Sequence, residues 1–210
     1  MEAGRRPALT GIELGADREA WAGAGFTVDG SRLEVGGVAI ELTRDEVGVA
    51  GLSFDWLPDG VDLIDGVPVT VAEPGGEGSH DNGAVQIDQV VVATPDFERT
   101  AAALADAGMP LKREITRTLS EDGEGEVRQG FVRAGGAVIE LVNTRSVPDG
   151  PAHVWGLGFV SERFDEAVAE LEGVIGSPRD AFQPGRRIAT FSRDARLGLP
   201  VVLLDPEPGT

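Results

Sequence analysis

Two phrases repeat in this chain almost unchanged: GGVAIELT at residues 36–43 and GGAVIELV at residues 135–142. Each is an apolar run alternating around one glutamate, Glu41 in the first and Glu140 in the second. Such self-similarity constrains the fold strongly, because each copy must be one supersecondary unit that buries its apolar face against its neighbours. Four other phrases open the units in the same frame: TGIEL (10–14), AGLSF (50–54), DQVVV (88–92) and WGLGF (155–159). The chain reads as four modules.

The fullest copy runs from Gln86 to Thr144. QIDQVVVAT predicts a strand, and Thr94 as cap, Pro95 in the first turn and acidic Asp96 start a helix after it. Phe97, Ala101 and Leu104 recur at helical spacing until Gly108 stops them. MPLKREITRTL alternates as a second strand, SEDGEGE is a polar turn, and VRQGFVRAG and GAVIELVNT complete a β-α-β-β-β unit.

The other copies are shorter. Residues 8–43 give a strand, a short helix capped by Asp17 with Trp21 facing inward, and closing strands. Residues 49–74 keep only strands, since proline and glycine break WLPDGVDL. EPGGEGSHDNGA (73–84) has the glycine-rich, acidic composition of a linker, and RSVPDGPA is a second connector. The last copy has SERFDEAVAELE as its helix, with Ser161 as N-cap and Phe164, Val168 and Leu171 as the buried stripe. The expected organisation is a reduced module pair in residues 1–75, a linker at 76–84, and a fuller pair in 85–210 with modules at 85–145 and 153–206. The class is α+β.

IDQVVVATPDFERTAAAL and RQGFVRAGGAVIELV resemble the vicinal oxygen chelate superfamily of glyoxalases, extradiol dioxygenases, fosfomycin-modifying enzymes and bleomycin-resistance proteins. The resemblance implies paired modules whose sheets curl into a cleft. It also implies a divalent metal held by one residue from the first and one from the last strand of each module. Gln89 and Glu140 fall on those positions, and an amide oxygen with a carboxylate suits zinc, nickel, iron or manganese. The last module offers Gly156 and Val202 there, the first Gly11 and Glu41, the second Gly51 and Thr70. A third oxygen ligand would arrive if the first and third modules shared a cleft, bringing Glu41 to Gln89 and Glu140. Catalytic metal sites use about three protein ligands, so the expectation is an incomplete metal site at Gln89 and Glu140 and no cofactor, with a divalent metal as the alternative.

Further ligand-binding candidates come from strand alternation. Gln129 and Phe131 alternate along the third strand of the central unit, and Trp155, Phe159 and Trp56 sit in or beside opening strands as aromatic walls or as core. Arg128, Arg186 and Arg187 clamp an anion or neutralise neighbouring acids. His80 in the linker and His153 upstream of the ligand frame read as ordinary histidines. Ile139 and Leu141 point to the opposite face from Glu140, which places its carboxylate in the cleft with Gln89 or Arg128 as donor.

Composition narrows the function. A net charge of -18 with Lys112 as the only lysine argues against nucleic acid, and the absence of cysteine excludes disulfides and thiolate chemistry. No apolar run has the length of a membrane span, and MEAGRRPALTG lacks the apolar centre of a signal peptide, so a cytoplasmic location is expected. The expected function is binding of a small organic molecule, with bleomycin-resistance proteins as the nearest analogue, in a monomer or homodimer. The alternatives are a metal-dependent lyase, isomerase or dioxygenase, and an interaction module without ligand.

Overall fold

The computed structural model describes residues 5–44, 46–118, 126–144 and 147–207. The polar turn expected at 120–126 lies almost wholly outside them. The first module contains β1 (Leu9–Gly15), α1 (Arg18–Gly23), β2 (Arg32–Val35) and β3 (Val38–Thr43), and the second β4 (Gly48–Phe54), β5 (Leu63–Ile64) and β6 (Val67–Val71). The third contains β7 (Ala84–Ala93), α2 (Phe97–Asp106), β8 (Arg113–Thr118), β9 (Glu126–Ala134) and β10 (Ala137–Thr144). The fourth contains β11 (His153–Ser161), α3 (Phe164–Glu170), β12 (Arg179–Asp180), β13 (Arg187–Thr190) and β14 (Val201–Leu204).

Neighbouring modules share a sheet. The first two form a six-stranded sheet in the order β2-β3-β1-β4-β6-β5, and the last two an eight-stranded sheet in the order β12-β13-β14-β11-β7-β10-β9-β8. In each, the opening strands of the two modules pair antiparallel at the centre and each opening strand pairs parallel with its own closing strand.

The registers show that the repeat is structural. Glu41 stands opposite Glu13, Thr70 opposite Ser53, Glu140 opposite Val91 and Val202 opposite Gly158, the same step of the frame in all four copies. Across the central pairs, Gly11 meets Ser53 and Glu13 meets Gly51, just as Gln89 meets Gly158 and Val91 meets Gly156. A bulge recurs as well. Thr10, Ala50, Asp88 and Trp155, the first residue of each opening phrase, are skipped by the pairing, and such an extra residue re-aims its side chain.

The core lies on the helix-bearing faces. Trp21 is fully buried and its Nε1 donates to Leu197 O at 3.1 Å, tying α1 to the fourth module. Phe26 packs between Trp21 and Phe159, at ring-centroid distances of 4.8 and 5.0 Å. On the other side α2 touches both β10 and β5, and Arg99 on α2 pairs with Asp65 at 2.6 Å. Both sheets thus share one continuous apolar core.

Local starts and stops depart from expectation in three places. Asp17 caps α1 as expected, accepting from Glu19 N, but Asp96 rather than Thr94 caps α2, accepting from Arg99 N at 3.0 Å. Thr94 Oγ1 instead accepts from Asp96 N, which leaves Pro95 before the helix. Gly108 does end that helix, with φ of 82°. Ser161 belongs to the end of β11, where its hydroxyl donates to Asn82 O, and α3 begins at Phe164 without a side-chain cap.

The segment read as a linker is anchored to both sheets. Gly36 N donates to Glu77 O and Asn82 Nδ2 to Ala24 O, while Glu162 N donates to Gly83 O. Burial of His80 and Asn82 explains this: polar groups shut away from water take partners. His80 Nδ1 accepts from Thr27 N at 3.0 Å, so Nε2 carries the proton and donates to Glu34 O at 2.9 Å.

Candidate functional site

Alternation along the central strands of the eight-stranded sheet sends Val90 and Val92 into the core and leaves Gln89, Val91 and Ala93 on the opposite, concave face. Glu140 faces the same side because it stands opposite Val91. The concavity encloses about 710 Å³, with Gln129, Trp155, Ile188 and Val202 among its walls, a volume within the roughly 300–1,000 Å³ typical of small-molecule pockets. The sheet therefore brings together Gln89, Gln129, Glu140 and Trp155 from the sequence candidates.

Among the described lining residues, Glu140 is the one carboxylate and Arg179 the one arginine. Glu140 is buried, 9% exposed, and among the described residues no arginine forms an ion pair with it. Burial pushes its pKa above the ordinary glutamate value, a hydrogen bond from Gln129 and the charge of Arg117 pull it down, and Asp88 pushes it up again. Since a carboxylate only accepts, the donor is Gln129 Nε2, which serves Glu140 Oε1. Gln129 Oε1 is thereby left enclosed without a partner. Glu140 Oε2 takes no hydrogen bond from the described residues, and the side chain lines the cleft. The donor expected at this place, Gln89 or Arg128, is replaced by Gln129 because the antiparallel β9 brings that amide diagonally beside Glu140.

Gln89 lies across β11. A Cβ at Gly158 would stand 2.9 Å from Gln89 Cγ, so the glycine provides the space in which the amide rests. Gln89 makes no side-chain hydrogen bond to the described residues, and its side chain lines the cleft.

The metal frame is half furnished. Gly156 and Val202 hold the fourth module's equivalents of Gln89 and Glu140, so two strands supply oxygen donors and two supply none. Glu41 does not complete the set: it lies on the six-stranded sheet, where it pairs with Arg32 at 2.5 Å. The first module shares its sheet with the second and not with the third. Among the described residues no three His, Cys, Asp or Glu converge on one point.

Several candidates lie elsewhere. Arg128 points to the helix side, pairing with Glu114 and Glu98 over the ring of Phe97. Arg187 does the same with Asp165 and Asp205 at 2.8 Å each. Arg186 is buried and bonds Asp88 Oδ1 and Asp205 O, both at 3.0 Å. All three arginines neutralise acids. Phe131 stands opposite Glu140 on β9 but outside the enclosed space, Phe159 is core, and Trp56 packs near Gly108. His153, read as ordinary, borders the cleft beside Ala93.

A hairpin forms the mouth of the cleft, through residues outside the sequence candidates. The β12–β13 hairpin contributes Arg179 and Ile188 to the wall, and the ring of Phe182 at its tip lies under the guanidinium of Arg117 on β8, the opposite edge strand. The two edges of the sheet meet through this pair, and Arg186, in the same turn as Phe182, anchors that turn through Asp88 and Asp205 O. Only the aromatic at the tip of a Pro-Gly turn hinted at this in the sequence.

No protein-family model matches the sequence, and no curated protein matches it. Among solved structures the chain is similar to a mutant of 4-hydroxymandelate synthase from Streptomyces coelicolor, with 15% identity, a TM-score of 0.63, and coverage of 96% of this chain and 93% of that one. It is also similar to a xylose isomerase-like TIM barrel/4-hydroxyphenylpyruvate dioxygenase fusion protein, with 10% identity and a TM-score of 0.64, covering 100% of this chain and 52% of that one. Methylmalonyl-CoA epimerase from Mycobacterium tuberculosis is 22% identical over 60% of this chain and 91% of its own, with a TM-score of 0.47. At such identities the likeness speaks for the fold alone. That fold is the vicinal oxygen chelate fold.

Proposed function

We propose that this chain binds a small organic molecule in the cleft of its eight-stranded sheet and does so without a complete metal site. The reading rests on one observation: at the four equivalent positions of that sheet stand Gln89, Glu140, Gly156 and Val202, a donor set too poor for the three protein ligands a catalytic metal centre uses. The space left by glycine and valine is room for a ligand. Val91, Val142 and Ile188 give that room apolar walls, and Glu140 with Gln129 gives it one fixed polar point, the usual composition of a small-molecule pocket. Binding without turnover, as in sequestration, is the mode this arrangement supports best.

The test is a fragment screen read by heteronuclear NMR. Binders should shift resonances of Val91, Val142 and Trp155 together. Fragments that perturb only other surfaces, or none that bind at all, would remove the reading.

A further inference from the structure

The missing counter-charge of Glu140 identifies the chemistry of what the cleft takes up. Three other shielded carboxylates each have an arginine: Asp65 has Arg99, Asp88 has Arg186 and Asp205 has Arg187, with the acid side chains 7%, 19% and 15% exposed. Glu140 is as deep as these, and among the described residues its one hydrogen-bond partner is the amide of Gln129. Arg117 acts on it from a distance, its own guanidinium being occupied with the ring of Phe182. A desolvated carboxylate with one donor is an unfinished site, because buried charge is ordinarily compensated by an opposite charge with hydrogen bonds.

The free positions around it define the shape of the missing group. Glu140 lines the cleft with Oε1 taken by Gln129, Gln89 on the adjacent β7 has an amide uncommitted among the described residues, and Trp155 borders the same space with 54% of its surface exposed. The bulge at Trp155 is what turns that ring out of the pairing frame. Two acceptors beside an aromatic face match a flat cation whose N–H bonds lie along one edge. An amidinium forms parallel hydrogen bonds with a carboxylate, and such charge-assisted bonds are the strong ones, while its π face stacks on an indole.

We infer that the ligand presents a planar amidinium- or guanidinium-like edge to Glu140 Oε2 and Gln89, with its flat body against Trp155, and that Gln129 is a positioning residue that fixes the carboxylate. This rests on the cleft being the binding site. It adds the ligand's charge and donor pattern.

Three compounds of one shape separate the alternatives: benzamidine, benzamide and benzoate carry a cation, a neutral amide and an anion on the same ring. Calorimetry on the intact protein should rank them in that order, with benzamidine at least about tenfold tighter than benzoate, a difference of about 1.4 kcal/mol. Glu140→Gln, which preserves shape, should weaken benzamidine about tenfold and abolish its advantage over benzamide. Gln129→Met should weaken it less and leave the ranking intact, and a thermal melt confirms that each variant is folded. Benzoate binding as well as benzamidine, or an unchanged ranking in Glu140→Gln, would overturn the inference. If none of the three binds while other fragments still occupy the cleft, the cation assignment falls and the binding function stands. If nothing enters the cleft, both fall.

Discussion

Asp88 and Trp155 are the same residue in two copies of one module, and each is the extra residue of a bulge where β7 and β11 pair. One backbone feature serves two ends. At Asp88 it delivers a carboxylate to Arg186, whose side chain is 1% exposed, and at Trp155 it delivers an indole to the cleft. Removing one partner of a buried ion pair leaves the other charged and desolvated, which typically costs about 3–5 kcal/mol. Asp88→Ala should approach the lower part of that range, since Asp205 O and Gln183 still hold the guanidinium. Urea unfolding would measure it.

Glu140→Gln should raise stability at neutral pH. Burial raises the folded-state pKa of Glu140, against the opposing influence of Gln129 and Arg117. The folded state therefore holds this proton more tightly than the unfolded chain, whose glutamates titrate near 4.3. The contribution is fully present below about 4.3 and is lost as pH rises through the raised folded value. Wild type and variant should melt together in acid and diverge toward pH 7, with the variant higher by about 2–4 °C for each kcal/mol gained. A constant difference across that window would contradict the burial argument.

His80 gives the opposite slope. Burial lowers its pKa, against smaller upward effects from Glu34 O and Asp81, and its bond from Thr27 N requires an unprotonated Nδ1. The unfolded chain therefore takes up the proton first. The contribution is complete above about 6.5 and is lost as pH falls through the lowered folded value. His80→Ala should cost about 1–3 kcal/mol at pH 7.5, from two lost hydrogen bonds that leave Thr27 N and Glu34 O unsatisfied, and it should flatten this part of the pH profile. Equal stability curves from pH 4 to 7.5 would show that the segment carrying His80 does not hold the sheets together.

Phe182→Ala tests the mouth. Phe182 is 65% exposed, and exposed substitutions usually change stability by no more than about 0.5 kcal/mol. Its ring nevertheless joins the hairpin to Arg117. The variant should melt as wild type does but release a cleft ligand several-fold faster, measured by stopped-flow fluorescence. Unchanged release would mean that the hairpin tip takes no part in retention.

Much of this was legible in the sequence because the phrases that repeat are strands, and strand alternation fixes faces. The frame shared by DQVVV and WGLGF sets Gln89 against Gly156, and the frame shared by the closing runs sets Glu140 against Val202. The same alternation separates Arg128 from Gln129: consecutive strand residues face opposite sides, and only Gln129 reaches the cleft. What was not legible depends on curvature. The meeting of Phe182 with Arg117 follows from how far the sheet bends, and the burial of His80 from how the two sheets trap the segment between them. Neither leaves a periodic trace in the chain.

The central claim is a ligand cleft built on a half-furnished metal frame, and metal content tests it most directly. Protein purified without chelators and examined by elemental analysis should carry far less than one equivalent of zinc, nickel, iron or manganese. A stoichiometric divalent metal, lost on both Gln89→Ala and Glu140→Ala, would contradict the account and make the cleft a metal centre.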